Sequence, residues 1–190
     1  LQFAHKDAHA FAAFLHSKAG GSVPVDNIRL LVDSQATMAA VYQSLDWLLG
    51  VSGKDDIVYI FFAGHGDMEN TTLYKLGFLL TANTPPHNYI NHSLRIEDLN
   101  NYANTLSVKN QSKVVLITDA CRSGKLAEKH LNASLLIGEQ LRTTREKEVR
   151  IAACAADQLS NEHESWGGGR GVFSWYLING MKGLADRQGD

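Results

Sequence analysis

Two matched apolar stretches constrain the fold most, and each leads directly into a reactive side chain. The first reads Ile-Val-Tyr-Ile-Phe-Phe-Ala-Gly ahead of His65, and the second reads Val-Val-Leu-Ile-Thr-Asp-Ala ahead of Cys121. Short runs rich in β-branched and aromatic residues are typical of strands that are buried on both faces, as parallel strands are. We therefore predict two parallel strands, with His65 and Cys121 each placed just past a strand end.

A thiol and an imidazole at the ends of neighbouring parallel strands would meet at one edge of the sheet. In open α/β sheets, sites form beyond the carboxyl ends of the strands. A cysteine beside a histidine is a nucleophile with a base, the arrangement used for covalent catalysis. The sequence thus predicts that Cys121 and His65 form one site.

The remaining periodicities predict helices that alternate with strands. Apolar residues at helical spacing favour a first helix from Leu1 to Leu15. Near the other end of the chain, a loop is expected from Gly167 to Gly171, followed by a last helix. Further helices are expected over 35–49 and 96–106, and further strands over 28–32, 76–80 and 149–154. This order indicates an α/β fold with a mostly parallel central sheet and helices on both faces.

Length and charge restrict the class of protein. The chain has 190 residues, 44% of them hydrophobic, and 18 Lys plus Arg against 20 Asp plus Glu. We expect one domain over residues 1–190, because no linker or repeat divides the sequence. The near balance of charge gives no broad attraction to nucleic acid or to a membrane surface. No run of eighteen apolar residues is present, so the sequence predicts no transmembrane helix.

The two ends of the sequence have the features of a segment cut from a longer protein. The chain begins inside a predicted helix, which is unusual for a parallel α/β fold, and it ends in a polar segment. We therefore expect both ends to be truncated, with a first strand before Leu1 and additional domains outside this chain.

The cysteines indicate a reducing compartment and no structural metal. There are two, Cys121 and Cys154, and no CxxC pair that would predict zinc. A disulfide between them is disfavoured in a chain with enough core to fold without one. We expect a cytoplasmic protein.

The two motifs together resemble a known group of enzymes. The cysteine motif is Asp119-Ala-Cys121-Arg-Ser-Gly, and Phe-Ala-Gly-His65-Gly lies upstream. A cysteine with a histidine roughly 50 residues before it is typical of caspases. The chain resembles the caspase, metacaspase and paracaspase superfamily of cysteine peptidases, and its Asp-x-Cys-x-Ser-Gly form is closest to metacaspases and their bacterial relatives. Residues 1–8, 30–37 and 154–160 also resemble metacaspase segments, in the same order.

The resemblance implies a three-layer caspase-like sandwich and assigns the catalytic roles. Cys121 would be the nucleophile that forms a thioester acyl-enzyme, and His65 would protonate the leaving amine and later help to activate water. The backbone N–H groups of Gly66 and Cys121 would form the oxyanion hole, in which each donor contributes roughly 3–4 kcal/mol.

The resemblance also implies specificity for basic residues. In metacaspases, two carboxylates line the pocket for the residue before the cut, and these correspond to Asp7 and Asp119. The residue before Asp7 is Lys6, where metacaspases have asparagine. Carboxylates bind Arg or Lys and repel Asp, so the expected activity is an endopeptidase that cuts proteins after Arg or Lys.

The same resemblance bears on self-cleavage and on calcium binding. Residues 125–148 lie where relatives are clipped into two subunits, and they contain basic residues that the enzyme itself would accept. Many metacaspases require calcium, but Ala156 stands beside Asp157 where those proteins have a second aspartate. The sequence therefore supports no metal and no other cofactor.

Less specific interpretations stand beside these. Cys121 could be a buried core thiol, Asp119 a helix cap, and Asp7 an ordinary first-turn or solvent-facing helix carboxylate. At the level of function, the alternatives are a catalytically idle caspase-like scaffold module and a small-molecule-binding α/β domain. Both dyad residues are present, which argues against the former, and no phosphate-binding glycine motif follows a strand, which argues against the latter.

Overall fold

The computed structural model of the chain describes residues 2–69, 72–86, 88–122, 147–153 and 161–185. The helices are α1 (Ala4–His16), α2 (Met38–Val51), α3 (Ile96–Val108) and α4 (Val172–Asn179). The strands are β1 (Ile57–Met68), β2 (Gly77–Leu80), β3 (Ser93–Arg95), β4 (Lys113–Arg122), β5 (Glu148–Ala152), β6 (Glu162–His163) and β7 (Arg170–Gly171). None of the described helices is long and apolar enough to cross a bilayer.

Five strands form the central sheet in the order β3-β2-β1-β4-β5. β1 runs parallel to β4 over ten residue pairs, and β4 runs parallel to β5 over five. β2 and β3 extend the sheet as antiparallel strands through three pairs each. The expected α/β fold with a mostly parallel central sheet is therefore confirmed, and β6 and β7 pair separately as a short hairpin.

Helices cover both faces of this sheet because the strand side chains alternate between two apolar cores. Ile117 packs with α1 and α4, whereas its neighbour Leu116 packs with α2 and α3. On the α1 side, the ring of Phe11 stacks on that of Phe61 at 4.6 Å between centroids. This contact fixes α1 across the amino-terminal half of β1.

Both central strands continue further than predicted. β1 runs through His65 to Met68, because Gly66 to Met68 pair with β2, and β4 runs through Cys121 to Arg122. The two residues therefore lie within the last part of their strands and not beyond them.

The predicted strand over residues 28–32 is not part of the described sheet. The backbone is extended at Ile28 and Val32, yet the segment pairs with no described strand. Ile28 instead packs on the core beneath α1. β-Branched residues favour extended backbone, but a ladder also needs a partner that local sequence does not specify. In the following helix, Thr37 is the N-cap, since its hydroxyl accepts a hydrogen bond from the Ala40 N–H.

Two tyrosine–carboxylate pairs cross between α2 and α3. Tyr42 donates to Asp98 at 2.6 Å, and Tyr102 donates to Asp46 at 2.5 Å. Burial and the Asp98 bond raise the pKa of Tyr42, and the hydrogen bond to Asp46, with burial, raises the pKa of Tyr102 to about 12. Both helices thus depend on protonated phenols.

We expect alkaline pH to destabilise the fold through these phenols. The unfolded phenols ionise near pH 10, while the folded ones stay protonated, so the free energy of unfolding falls as pH rises from about 10 to 12. Urea unfolding should show a shallower fall in Tyr42→Phe/Tyr102→Phe, which should lose about 1–2 kcal/mol at pH 8. Tyr176→Phe, at a residue 64% exposed, is the matched control and should behave like wild type at pH 8. An equally steep fall in the double variant would contradict this role.

Candidate active site

The parallel ladder between β1 and β4 brings the two predicted catalytic positions side by side. In its register, His65 is the direct partner of Cys121, and Gly66 is the partner of Arg122. His65 is half-buried. Gly66 also pairs with Leu79, so it lies where β1 passes between two neighbouring strands. The backbone thus places His65, Gly66 and Cys121 together at one end of the central sheet.

The two predicted pocket carboxylates also meet. Asp119 lies in β4 two residues before Cys121 and is 4% exposed, and Asp7 lies in α1 and is 2% exposed. Both approach the same point of β7: a Cβ on Gly171 would lie 2.8 Å from Asp119 Oδ2 and 3.0 Å from Asp7 Oδ2. Only a residue without a side chain fits between them.

Asp7 shares the buried face of α1 with Phe11, one helical turn further along. Because Phe11 stacks on β1, this face directs Asp7 toward the sheet. The solvent-facing interpretation of Asp7 is therefore wrong. The helix-cap interpretation of Asp119 is wrong as well, since the residue lies inside a strand and not at a helix start.

Three donors in the described part of the chain bind this carboxylate pair. The Arg170 Nε donates to Asp7 Oδ1 at 2.5 Å, and the Gly171 N–H donates to Asp7 Oδ2 at 3.0 Å. The Ser174 hydroxyl in α4 donates to Asp119 Oδ2 at 2.6 Å. Asp7, Asp119, Arg170 and Ser174 are all buried, so these bonds replace hydration that the groups lose on folding.

The electrostatic balance at Asp7 favours the protonated form relative to water. Burial raises the pKa of Asp7, and the negative charge of Asp119 raises it further. The bonds from Arg170 and Gly171 and the Arg170 charge act in the opposite direction without cancelling the effect of burial. A cation that binds beside the two carboxylates would therefore be attracted by both and would help to keep Asp7 ionised.

The hairpin that supplies Arg170 is tied to the start of α1. The carboxylate of Glu162 in β6 accepts from the N–H groups of Gln2 at 2.6 Å and Phe3 at 3.1 Å. Lys6 donates to the Gly168 carbonyl at 2.6 Å. The lysine that stands where metacaspases have asparagine thus binds the hairpin and leaves Asp7 to face the sheet.

Sequence reasoning missed Arg170 and Ser174. Arg170 is a single charged residue between glycines, and Ser174 interrupts the apolar run of α4. In both cases a polar side chain lies at a buried position. A buried polar side chain usually has a hydrogen-bond partner, so each pattern indicates that such a partner exists. Nothing in the local sequence, however, names Asp7 and Asp119 as their partners.

Several predicted features lie outside the described residues. These are Cys154, Asp157 and most of the segment 125–148. Among the residues that are described, no group of three or more His, Cys, Asp or Glu side chains is arranged to hold a metal ion.

Comparison with known proteins agrees with this fold. The crystal structure of protein GSU0716 from Geobacter sulfurreducens is similar, with a TM-score of 0.61 and 19% identity over 95% of this chain and 73% of that one. At that identity the likeness shows the fold alone, and no curated protein matches the chain. The family model of the caspase domain matches residues 1–188. The chain therefore belongs to the caspase-domain family of cysteine peptidases.

Proposed function

We propose that this chain is a cysteine endopeptidase that uses Cys121 and His65 as a catalytic dyad and cuts proteins after Arg or Lys. Caspase-domain membership supports peptidase activity on protein substrates in general. The observation that carries the finer assignment is the convergence of two buried carboxylates, Asp7 and Asp119, next to the strand that bears Cys121.

The pairing of His65 with Cys121 in the ladder supports the dyad. In the proposed reaction, the Cys121 thiolate attacks the scissile carbonyl carbon, and the carbonyl π electrons move onto oxygen. The backbone N–H groups of Gly66 and Cys121 stabilise that oxyanion. As the C–N bond breaks, His65 gives a proton to the leaving amine. Water activated by His65 then hydrolyses the thioester and regenerates the thiolate.

Charge supports the choice of substrate. A basic side chain that reaches Asp7 and Asp119 exchanges water for two carboxylates in a buried setting, where such pairing is strong. An aspartate would instead place a third carboxylate beside the two, which costs several kcal/mol. The catalytically idle scaffold is not favoured, because the chain retains both His65 and Cys121.

Fluorogenic peptides that differ only in the residue before the cut test this proposal. We expect kcat/KM to be at least about 100-fold higher for Arg than for Asp, with the value for Lys between the two. Citrulline, which has the shape of arginine without its charge, is the matched control peptide and should be cut poorly. Faster cleavage after Asp than after Arg would contradict the proposal.

Self-cleavage within residues 125–148 is part of the same proposal. The segment carries five basic residues of the kind the enzyme would accept: Lys125, Lys129, Arg142, Arg145 and Lys147. Intact-mass analysis during incubation should show fragments that begin after one of these residues in wild type and not in Cys121→Ala. A fully active chain that stays whole would contradict a requirement for processing.

A further inference from the structure

The carboxylate that the proposed function offers to the substrate is already bound to an arginine of this chain. Arg170 contacts Asp7 through its Nε, and the two side chains are only 10% and 3% exposed. The guanidinium of Arg170 is the same chemical group that a substrate arginine would present. Substrate and Arg170 therefore bring the same charge to one carboxylate.

Arg170 is incompletely satisfied in this position. Its Nη2 is buried and has no hydrogen-bond partner among the described residues. A buried donor without a partner destabilises the folded state, because it has lost its hydrogen bonds to water and gained none in exchange. The ion pair itself gains little overall, since the cost of burying both charges offsets much of their attraction. The net stability of the Arg170–Asp7 contact is therefore small, and a competing cation can displace Arg170.

Arg170 lies in a glycine-rich hairpin whose backbone is held in place: Gly167 packs against the ring of Trp175, and Gly169 against the ring of Phe3. The three preceding glycines, at positions 167–169, have φ values of +58°, +78° and +104°, a region that few other residues adopt. Gly171 follows directly, and β6 and β7 pair through only two residues each. The Arg170 side chain can therefore leave Asp7 by rotation about its own bonds, while the hairpin backbone stays in place and no helix or central strand unfolds.

We propose that Arg170 is an internal occupant of the carboxylate pair, which a substrate Arg or Lys must displace from Asp7, so that Arg170 sets the affinity and selectivity of the pocket. The inference rests on the proposed function, in that it takes Asp7 and Asp119 as the pocket for a basic residue. If the vacated pocket is about 10% populated, the apparent affinity for substrate is lowered about tenfold. Arginine replaces the lost guanidinium better than lysine does, because its planar fork supplies the same donors.

Binding to a chain that cannot cleave tests this directly. In the Cys121→Ala background, the dissociation constant is measured by calorimetry for a peptide with Arg at the cut position. Arg170→Gln should bind about tenfold tighter, because its neutral amide is a weak competitor. Arg170→Lys should bind about threefold tighter, since the compact ammonium of lysine competes for Asp7 less well than the guanidinium of arginine does. The preference for Arg over Lys peptides should shrink in both variants.

Arg29→Gln is the matched control, since it removes the same charge from an exposed arginine that lies over Trp47. Its affinity should equal that of the parent chain. Unchanged or weaker binding by folded Arg170→Gln would overturn the inference. If Arg170→Gln does not fold, the affinity of Arg170→Lys decides instead, and unchanged or weaker binding would again overturn the inference. Failure of Arg170→Lys to fold would also overturn the inference, because a displaceable side chain is not needed for folding.

The same proteins separate this inference from the proposed function. Tight binding of Arg peptides without cleavage by the chain that retains Cys121 would overturn the endopeptidase and leave the role of Arg170 intact. Cleavage after Arg with no gain in affinity on replacing Arg170 would overturn the inference alone. Absence of any Arg-peptide binding in all the variants would overturn both.

Discussion

Replacing Cys121 with alanine is expected to lower kcat/KM on an Arg-containing peptide by about 10⁴-fold or more. The thiolate forms the bond to the substrate carbon in the proposed reaction, and no other group can take its place. His65→Ala should lose about 10²- to 10⁴-fold, the usual contribution of a general acid–base. The measurement is initial-rate kinetics together with labelling by an alkylating probe that ends in arginine.

The double variant sharpens this test. If Cys121 and His65 act as one unit, Cys121→Ala/His65→Ala should be no slower than Cys121→Ala alone, because the functions of a catalytic pair are not additive. Cys154→Ala is the matched control, as it removes the only other cysteine of the chain. Cysteine labelling in Cys121→Ala, or more than about 1% residual activity after its replacement, would refute the assignment of the nucleophile.

Replacing Gly171 with alanine is expected to have the largest effect outside the dyad. The added Cβ would stand 2.8 Å from Asp119 Oδ2 and 3.0 Å from Asp7 Oδ2, closer than van der Waals contact allows. Both oxygens are buried and already bonded, to Ser174 and to the Gly171 N–H, so neither has free space to move into. We expect a loss of about 2–3 kcal/mol in the free energy of unfolding, typical of overpacking. Weaker binding of Arg peptides should accompany it.

Gly50→Ala is the control for this change. Gly50 lies in α2, and a Cβ there would meet nothing within 4 Å. Because alanine favours the helix over glycine, its variant should be as stable as wild type or up to about 1 kcal/mol more stable. Urea unfolding compares the two, and a Gly171→Ala protein as stable as Gly50→Ala would mean that the carboxylates do not lie against β7.

The strongest local patterns predicted the fold correctly. The apolar runs before His65 and Cys121 specify buried parallel strands because β-branched and aromatic side chains cover both faces of such a strand. The helical spacing of Phe11 and Leu15 likewise specifies the buried face of α1. The prediction of a strand over 28–32 is wrong, since strand pairing depends on a partner backbone elsewhere in the chain.

Sequence alone determined the chemical inventory of this protein: a thiol and an imidazole on two buried strands, and carboxylates at Asp7 and Asp119. The thiol and the imidazole follow from side-chain identity and from hydrophobic periodicity, which are local properties, whereas the choice of Asp7 and Asp119 rests on the resemblance to metacaspases. Only the tertiary structure decided that Arg170 and Ser174 meet those carboxylates across Gly171. Burial forces charged groups to find partners, and those partners come from segments more than 50 residues away in the chain, so no local pattern specifies them.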